Sequence, residues 1–330
     1  LSEWRKSRSP SPKVAKFLTY YSASPSCLNL RNVVFLNSCC AIFSALAMVL
    51  SDPGDGILVS TPFHSGFLFS AQIHAQIEVI PIHVDSEITN INTQPFQIMV
   101  GKLEQGLLEA KTKSKKVKGS LLANPQNPLG DVNLKDSLKE YLKFAKRNEL
   151  HVIVDETYML SVLESLPDPN RTHMIWDSKD FGITGFHFAV LYTHNDDLVS
   201  AMSPFGYLHS VSGIIQYKLH HLLGDREWIN RVYLPTNHSW VQEAYMYSLW
   251  AYIWINLKKL LEPCTFEEEL VLHCHFLYHK LILSHGKSYT FKEPGWFCLV
   301  FAENPQRPRE AMGWFEKIYK LVNKVSLNID

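Results

Sequence analysis

Short apolar runs alternate with amphipathic segments along the first half of the chain. Continuous apolar runs predict buried strands at Val33–Leu36, Ile57–Val59, Ile77–Val84, Ser120–Ala123 and His151–Val154. Segments with apolar positions three or four residues apart predict helices at Ala41–Leu50, Phe96–Lys111 and Leu134–Arg147. Apolar strands that alternate with helices are typical of a parallel sheet covered on both faces. We therefore predict an α/β fold whose mainly parallel sheet is flanked by helices.

The last third of the chain has a different pattern. It predicts a helix at Glu267–His279, a strand at Phe297–Phe301 and a closing helix at Arg309–Val322. We therefore expect an N-terminal segment (1–27), a large domain (28–233) and a smaller α+β domain (234–330). Ligands of parallel sheets bind beyond the carboxyl ends of the strands, so candidate chemistry is sought there.

Composition narrows the class of protein. Of 330 residues, 46% are hydrophobic and 19% charged, which excludes a disordered chain. Lys plus Arg and Asp plus Glu both number 32, so the basic excess of a nucleic-acid-binding protein is missing. The apolar stretches are shorter than the ~20 residues that span a bilayer. Six cysteines without a CxxC pair indicate reduced thiols. We expect a cytoplasmic protein without membrane or nucleic-acid partners.

Two short motifs suggest other chemistry. Asp180-Phe181-Gly182 resembles the DFG of kinases, but a Gly-rich loop and a catalytic HRD loop do not accompany it. His275 and His279 have the i, i+4 spacing that places two imidazoles on one helix face, beside His273 and Cys274. No carboxylate or distant Cys pair completes a ligand set. We therefore predict no metal site.

Four segments at expected strand ends carry a more specific pattern. They are Asn124–Gly130, Asp155–Tyr158, Ser178–Gly182 and Glu293–Phe297, which read NPQNPLG, DETY, SKDFG and EPGWF. In this order they resemble the fold-type I pyridoxal-phosphate enzymes, the class I and II aminotransferases, in their 1-aminocyclopropane-1-carboxylate synthase branch. The resemblance covers nearly the whole chain. It implies a pyridoxal-phosphate-dependent transferase fold and a homodimer, because the family's sites form between subunits.

The resemblance implies a role for each matching residue. Lys179 is the amine that holds pyridoxal 5'-phosphate covalently, and a desolvated Lys is a usable amine at neutral pH. Asp155 is the carboxylate that keeps the ring nitrogen of the cofactor protonated. Asn127 and Tyr158 are the expected partners of the ring's phenolic oxygen.

Other cofactor-binding positions match less well. Phe63 or its neighbour His64 corresponds to the aromatic residue that stacks on the ring, and Ser178 directly precedes the lysine. At the turn where the family binds the phosphate on a helix N-terminus, this chain has Cys39 and Cys40. His187 stands where the family carries an Arg, and a neutral imidazole has one N–H donor where guanidinium has a charged fork. We expect weakened phosphate binding.

The residues expected to bind the substrate differ further from the family pattern. Cys298 occupies the position of the Arg that pairs with the substrate's α-carboxylate, and a thiol cannot form that bidentate pair. Only 24 positions separate Asp155 from Lys179, fewer than in the family, where a helix and a strand intervene. A second contraction falls near 245–252. If the helix and strand between Asp155 and Lys179 are both absent, we expect that Lys179 does not reach the site of Asp155.

Three functional hypotheses follow. The first is a pyridoxal-phosphate-binding, aminotransferase-like protein of amino-acid metabolism with little or no catalysis. The second is an active transaminase or lyase that acts on an atypical small amino acid. The third is a non-catalytic structural or interaction protein that no longer binds the cofactor. Addition of pyridoxal phosphate, followed by addition of amino acids, would distinguish these three hypotheses.

Overall fold

The computed structural model describes residues 12–21, 28–87, 95–158, 172–237 and 252–300. The chain divides into two compact units. The first comprises Leu1–Ser60, Gly66–Pro125 and Val132–Val232, and the second comprises Thr61–Ser65, Gln126–Asp131 and Tyr233–Asp330. The main break therefore falls between residues 232 and 233, and two short loops of the first two-fifths of the chain group with the C-terminal unit.

The first unit is built on a mixed sheet. Its strands are β1 (Val33–Leu36), β2 (Gly56–Thr61), β3 (Glu78–His83), β4 (Val117–Ala123), β5 (His151–Asp155), β6 (Thr172–Asp177) and β7 (Ala189–Tyr192). The strand order is β1-β7-β6-β5-β4-β2-β3. β2, β4, β5 and β6 pair in parallel, whereas β7 is antiparallel to both β6 and β1. The predicted α/β class with a mainly parallel sheet is confirmed.

Helices accompany this sheet along the chain. They are α1 (Pro12–Tyr21), α2 (Cys39–Leu50), α3 (Gly66–Ser70), α4 (Val100–Thr112), α5 (Lys135–Arg147), α6 (Asp196–Met202), α7 (Gly213–Leu222) and the short α8 (Arg226–Trp228). Most of α2 is buried, in keeping with its almost continuously apolar sequence. α5 buries only one face, through Leu138, Tyr141, Phe144 and Ala145.

The apolar faces of α4 and α5 form one core cluster with the central strands. Leu103 and Leu107 of α4 and Phe144 of α5 pack in a cluster that includes Leu58 and Val152 of the sheet. Burial of a large aliphatic or aromatic side chain contributes roughly 1.5–3 kcal/mol. This core fixes the strands, and therefore the position of their carboxyl ends.

The predicted start of α4 is wrong by four residues. The helix begins at Val100, after Met99, rather than at Phe96. Phe96 has φ 64, in the left-handed region, and its N–H donates to Asp85 O at 2.8 Å. A non-glycine residue in that region does not continue a right-handed helix, so the helix cannot include it.

The second unit contains a small antiparallel sheet and one long helix. β8 (Tyr252–Asn256), β10 (Trp296–Val300) and β9 (Ser284–His285) pair in that order, and α9 spans Phe266–Tyr278. Phe276 of α9 packs on Phe297 of β10, with ring centroids 5.4 Å apart. These elements confirm the predicted helix and strand of the C-terminal third. The predicted helix at 309–322 lies outside the described residues.

The described helices are all too short or too polar to span a bilayer.

Candidate functional site

Asp155 lies where three parallel strands end together. It is the last residue of β5, is 7% exposed, and pairs with Ala123 of β4 and Ile175 of β6. Its carboxylate Oδ1 accepts a hydrogen bond from the Thr157 backbone N at 3.1 Å and another from the Thr157 hydroxyl. The carboxylate is therefore held in a fixed orientation at the carboxyl edge of the sheet.

Lys179 reaches the same edge. It lies in a 3₁₀ turn, Ser178–Phe181, that directly follows β6, and its backbone N donates to Asp177 Oδ1 at 2.8 Å. Its Nζ lies 5.6 Å from the centroid of the Tyr158 ring. A strand, β6, precedes Lys179 and pairs with β5, and the intervening residues 159–171 lie outside the described residues. Strand pairing thus brings Lys179, Tyr158 and Asp155 to the same carboxyl edge of the sheet.

Asp177 is a buried carboxylate that the sequence reasoning missed. It ends β6, is 5% exposed, and accepts hydrogen bonds from the Lys179 backbone and from the Cys39 thiol. Burial raises the pKa of Asp177 and nearby Asp155 adds to that rise, while the Lys179 charge and the two hydrogen bonds oppose it. The sequence signal for Asp177 is an acidic residue two positions before Lys179. That signal has meaning only if the strand that ends at Asp177 is predicted as well.

The N-terminus of α2 contributes two thiols to this group. Ser38 is the N-cap, and its side chain accepts from the Ala41 N–H at 3.0 Å. Cys39 is 6% exposed, whereas Cys40 is half-buried. The pKa of Cys39 is raised well above its ordinary value by its hydrogen bond with Cys40, then by burial and by the charges of Asp155 and Asp177. Cys39 is therefore a neutral thiol at pH 7.

Glu156 adds a second unpredicted acidic group beside Asp155. It is 3% exposed, and its backbone N donates to Ile175 O at 2.8 Å. Burial, and secondarily the Asp155 charge, raise the pKa of Glu156 to about 8. Its Oε2 has no hydrogen-bond partner within the part of the chain that the structure describes. The side chain is thus uncharged at neutral pH.

The structure places the remaining cofactor candidates in both units. Ser178 begins the turn that carries Lys179, and His187 follows the turn Thr184–Phe186 with φ 49 and is exposed in the first unit. Phe63, His64 and Asn127 belong to the second unit. Phe63 and Asn127 are buried, and the Phe63 N–H donates to Tyr289 O at 3.2 Å. The roles expected for these residues stay predictions.

Cys298 has aromatic neighbours in the second unit. It is 1% exposed in β10, directly opposite Trp254 of β8. Burial raises the pKa of Cys298 to about 11, and a hydrogen bond from Tyr289 opposes that rise. Trp254 stacks on Trp296 with ring centroids 5.9 Å apart. A neutral thiol among aromatic rings has no charge with which to bind a carboxylate.

The DFG string and the histidines near His273 both make contacts within the fold. Asp180 of the DFG string is buried and accepts a hydrogen bond from Trp176 Nε1 at 2.6 Å. The imidazoles of His273 and His285 lie edge to face, with centroids 5.0 Å apart. Within the described ranges, no group of three or more His, Cys, Asp or Glu residues is arranged to hold a metal ion.

A family model, "Aminotransferase class I and II", matches residues 13–247. The chain belongs to this family. The chain is 54% identical over 341 residues to the human "Probable inactive 1-aminocyclopropane-1-carboxylate synthase-like protein 2", covering 95% of the chain and 60% of that protein. It is 44% identical to the human "1-aminocyclopropane-1-carboxylate synthase-like protein 1", covering 93% of the chain and 67% of that protein.

The solved structures support the same fold. A crystal structure of aspartate aminotransferase from Thermotoga maritima matches with a TM-score of 0.74 and 20% identity, over 95% of this chain and 83% of that one. Because the chain spans about three-fifths of the first human relative, it corresponds to part of that protein's length. The pyridoxal-phosphate transferase fold expected from the sequence is confirmed.

The residues of the first unit fit one end of pyridoxal phosphate better than the other. Asp155, Tyr158 and Lys179 supply a buried carboxylate, a phenol and an amine at one sheet edge, which suits a pyridine aldehyde. At the α2 N-terminus, where an anion would bind, the neutral Cys39 thiol donates to the Asp177 carboxylate. The ring end of the cofactor therefore fits, and the phosphate end does not.

Proposed function

We propose that this chain is a pyridoxal-type, aldehyde-binding member of the class I and II aminotransferase family with little or no amino-acid chemistry. One observation carries the proposal: Lys179 Nζ lies 5.6 Å from the centroid of the Tyr158 ring, at the strand ends where Asp155 is buried. Pyridoxal phosphate, when bound, serves this family as an electron sink. The human relative named probable inactive agrees with the expected weakness.

The residues of this chain would act by orientation and charge. Thr157 fixes the Asp155 carboxylate through two hydrogen bonds, so that one anionic oxygen faces a defined direction. That carboxylate favours a proton on a pyridine nitrogen placed beside it. Tyr158 presents its ring to the Lys179 ammonium, an arrangement that is attractive within about 6 Å.

The substrate end explains why catalysis would be weak. An α-carboxylate that leaves water needs a paired cation, and truncation of one partner of such a pair costs roughly 2–5 kcal/mol. Cys298 offers a neutral thiol in that position of the family pattern. We therefore propose that an aldehyde binds at Lys179 while amino acids do not turn over.

The test is addition of pyridoxal phosphate and pyridoxal, separately, to the purified chain, followed by amino acids. We expect a visible absorbance band that borohydride fixes, that Lys179→Arg abolishes, and that amino acids leave unchanged. Lys218→Arg is the matched control, because Lys218 is an exposed lysine of the same unit. A band that shifts and turns over with amino acids would indicate an active enzyme. No band with either aldehyde would indicate a non-catalytic interaction protein.

We also propose that the protein is a homodimer, as is typical of the family. Several large apolar side chains of the first unit are exposed by 67–74%, namely Tyr207, Leu208, Ile214 and Tyr217. Large contiguous apolar patches mark surfaces that bind another protein, and we propose that these side chains form one such patch. Light scattering of the wild type and of Ile214→Glu with Tyr217→Glu would test this, because charges at a dimer interface should yield monomers.

A further inference from the structure

The N-terminus of α2 is an anion-attracting feature that faces a carboxylate of its own chain. A helix N-terminus carries an effective charge of about +0.5, and α2 has 12 residues. Cys39 is the first residue of that helix, and its thiol donates a hydrogen bond to the Asp177 carboxylate. The Asp177 carboxyl group therefore lies beside the partial positive charge of the helix terminus.

Asp177 is held in this position by contacts from two directions. Its Oδ1 accepts from the Lys179 backbone N at 2.8 Å, which fixes the side chain at the end of β6. The Cys39 thiol supplies the second hydrogen bond from α2. Hydrogen bonds to a carboxylate favour its charged form, so both contacts support the anion against the effect of burial.

One backbone donor at the N-terminus of α2 is already engaged, and the Cys39 side chain there is uncharged. Ser38 Oγ accepts from the Ala41 N–H at 3.0 Å, which satisfies one free N–H group of the first helical turn. Cys39 is neutral because its pKa is raised. A phosphate monoester at pH 7 carries about −1.5 to −2 charges. An Asp177 carboxylate at this position offsets the partial positive charge of the helix terminus and repels such a group.

We propose that the Lys179 site selects aldehydes that carry no phosphate, because Asp177 supplies the negative charge at the N-terminus of α2. This inference rests on the proposed aldehyde binding and names its ligand class: an unphosphorylated aromatic aldehyde such as pyridoxal. The reaction balances without another reagent. The Lys179 ammonium first releases one proton to water. The resulting amine forms a carbon–nitrogen bond with the aldehyde carbon, and the aldehyde oxygen leaves as water with the two remaining amine protons.

The experiment compares pyridoxal with pyridoxal phosphate on the whole chain. Apparent dissociation constants come from the visible absorbance of the Lys179 adduct, and borohydride fixation with peptide mass analysis verifies the attachment site. We expect pyridoxal phosphate to bind no more tightly than pyridoxal. In Asp177→Asn we expect about tenfold tighter binding of pyridoxal phosphate, with pyridoxal changed by less than about threefold, because the amide keeps the oxygen that accepts from Lys179 N. Asp136→Asn, at an exposed carboxylate of α5, is the control and should leave both constants unchanged.

Each other outcome overturns the inference. If the wild type binds pyridoxal phosphate more tightly than pyridoxal, Asp177 does not exclude the phosphate. If Asp177→Asn leaves the ratio of the two dissociation constants unchanged, the Asp177 carboxylate is not the cause of the wild-type preference. If Asp177→Asn fails to fold, the dissociation constants of the wild type for pyridoxal and pyridoxal phosphate still test the inference, because tighter binding of pyridoxal phosphate contradicts it. An adduct with neither aldehyde refutes the proposed function itself, whereas an adduct with preference for the phosphate ester refutes only this inference.

Discussion

The Asp155 carboxylate accepts two hydrogen bonds from a single residue, Thr157, through its backbone N and its hydroxyl. Both groups are buried, so neither bond competes with bulk water. A hydrogen bond to a charged group contributes about 1.5–3 kcal/mol. Thr157 therefore determines the direction in which Asp155 presents its charge at the sheet edge.

Removal of the Thr157 hydroxyl should weaken aldehyde binding at Lys179. We expect Thr157→Val to lower stability by about 1–3 kcal/mol and to weaken the Lys179 adduct about three- to tenfold, because Asp155 loses one of its two donors. Thr157→Ser keeps a hydroxyl and should restore both properties. Denaturant unfolding and absorbance titration measure the two effects. Equal binding by the Val and Ser variants would show that the hydroxyl does not orient Asp155.

Glu156 should destabilise the fold as the pH rises. Its pKa is raised from 4.5 to about 8 by burial, so the folded state keeps a proton that the unfolded state has already released. The stability that protonated Glu156 contributes is complete below about pH 4.5 and falls as the pH rises towards 8, by at most about 5 kcal/mol. Glu156→Gln should remove this slope in chemical denaturation at pH 5 to 8. Glu267→Gln, at an exposed carboxylate of α9, should keep it, and a wild-type slope in Glu156→Gln would contradict the assignment.

His173 should have the opposite effect at acid pH. This imidazole is 3% exposed, and its Nδ1 lies 2.8 Å from Thr193 Oγ1. Burial, with a smaller contribution from His151, lowers the pKa of His173 from 6.5 to about 4. The unfolded state therefore binds a proton first as the pH falls, and up to about 3 kcal/mol of stability is lost between pH 6.5 and 4.

The comparison of His173→Asn with the wild type isolates this contribution. The difference between their free energies of unfolding should change with pH below 6.5, since the wild type alone titrates there. The Glu156 contribution is common to both proteins and cancels in the difference. A difference that stays constant from pH 7 to pH 4 would mean that His173 is protonated in the folded state.

The sequence predicted the carboxyl edge of the sheet better than the residues that surround it. Asp155 follows a continuous apolar run, and a parallel strand must end with its neighbours, so its position could be derived from the pattern. β6 could not be predicted in this way, since Thr172–Asp177 has only three apolar residues in succession, and pairing with β5 and β7 makes it a strand. With β6 unpredicted, Asp177 could not be assigned to the site.

Hydrogen bonding explains the other differences between expectation and structure. Asn124 donates its backbone N–H to Asp155 O at 2.9 Å, an expected contact between neighbouring strand ends. The Cys39 thiol, by contrast, contacts Asp177 from an element 138 positions away in sequence, and no local pattern encodes that distance. Glu156 follows Asp155 directly, yet only the packed structure shows that it is buried with one oxygen unsatisfied.

The central claim is that Lys179 is the amine that captures an aldehyde beside Asp155. Borohydride trapping with pyridoxal, followed by peptide mapping of every labelled lysine, tests it most directly. The account predicts one dominant label at Lys179, sharply reduced in Asp155→Asn, with only trace label at exposed lysines such as Lys218. Equal labelling of Lys179 and Lys218, or labelling of Lys179 that Asp155→Asn leaves unchanged, would contradict it.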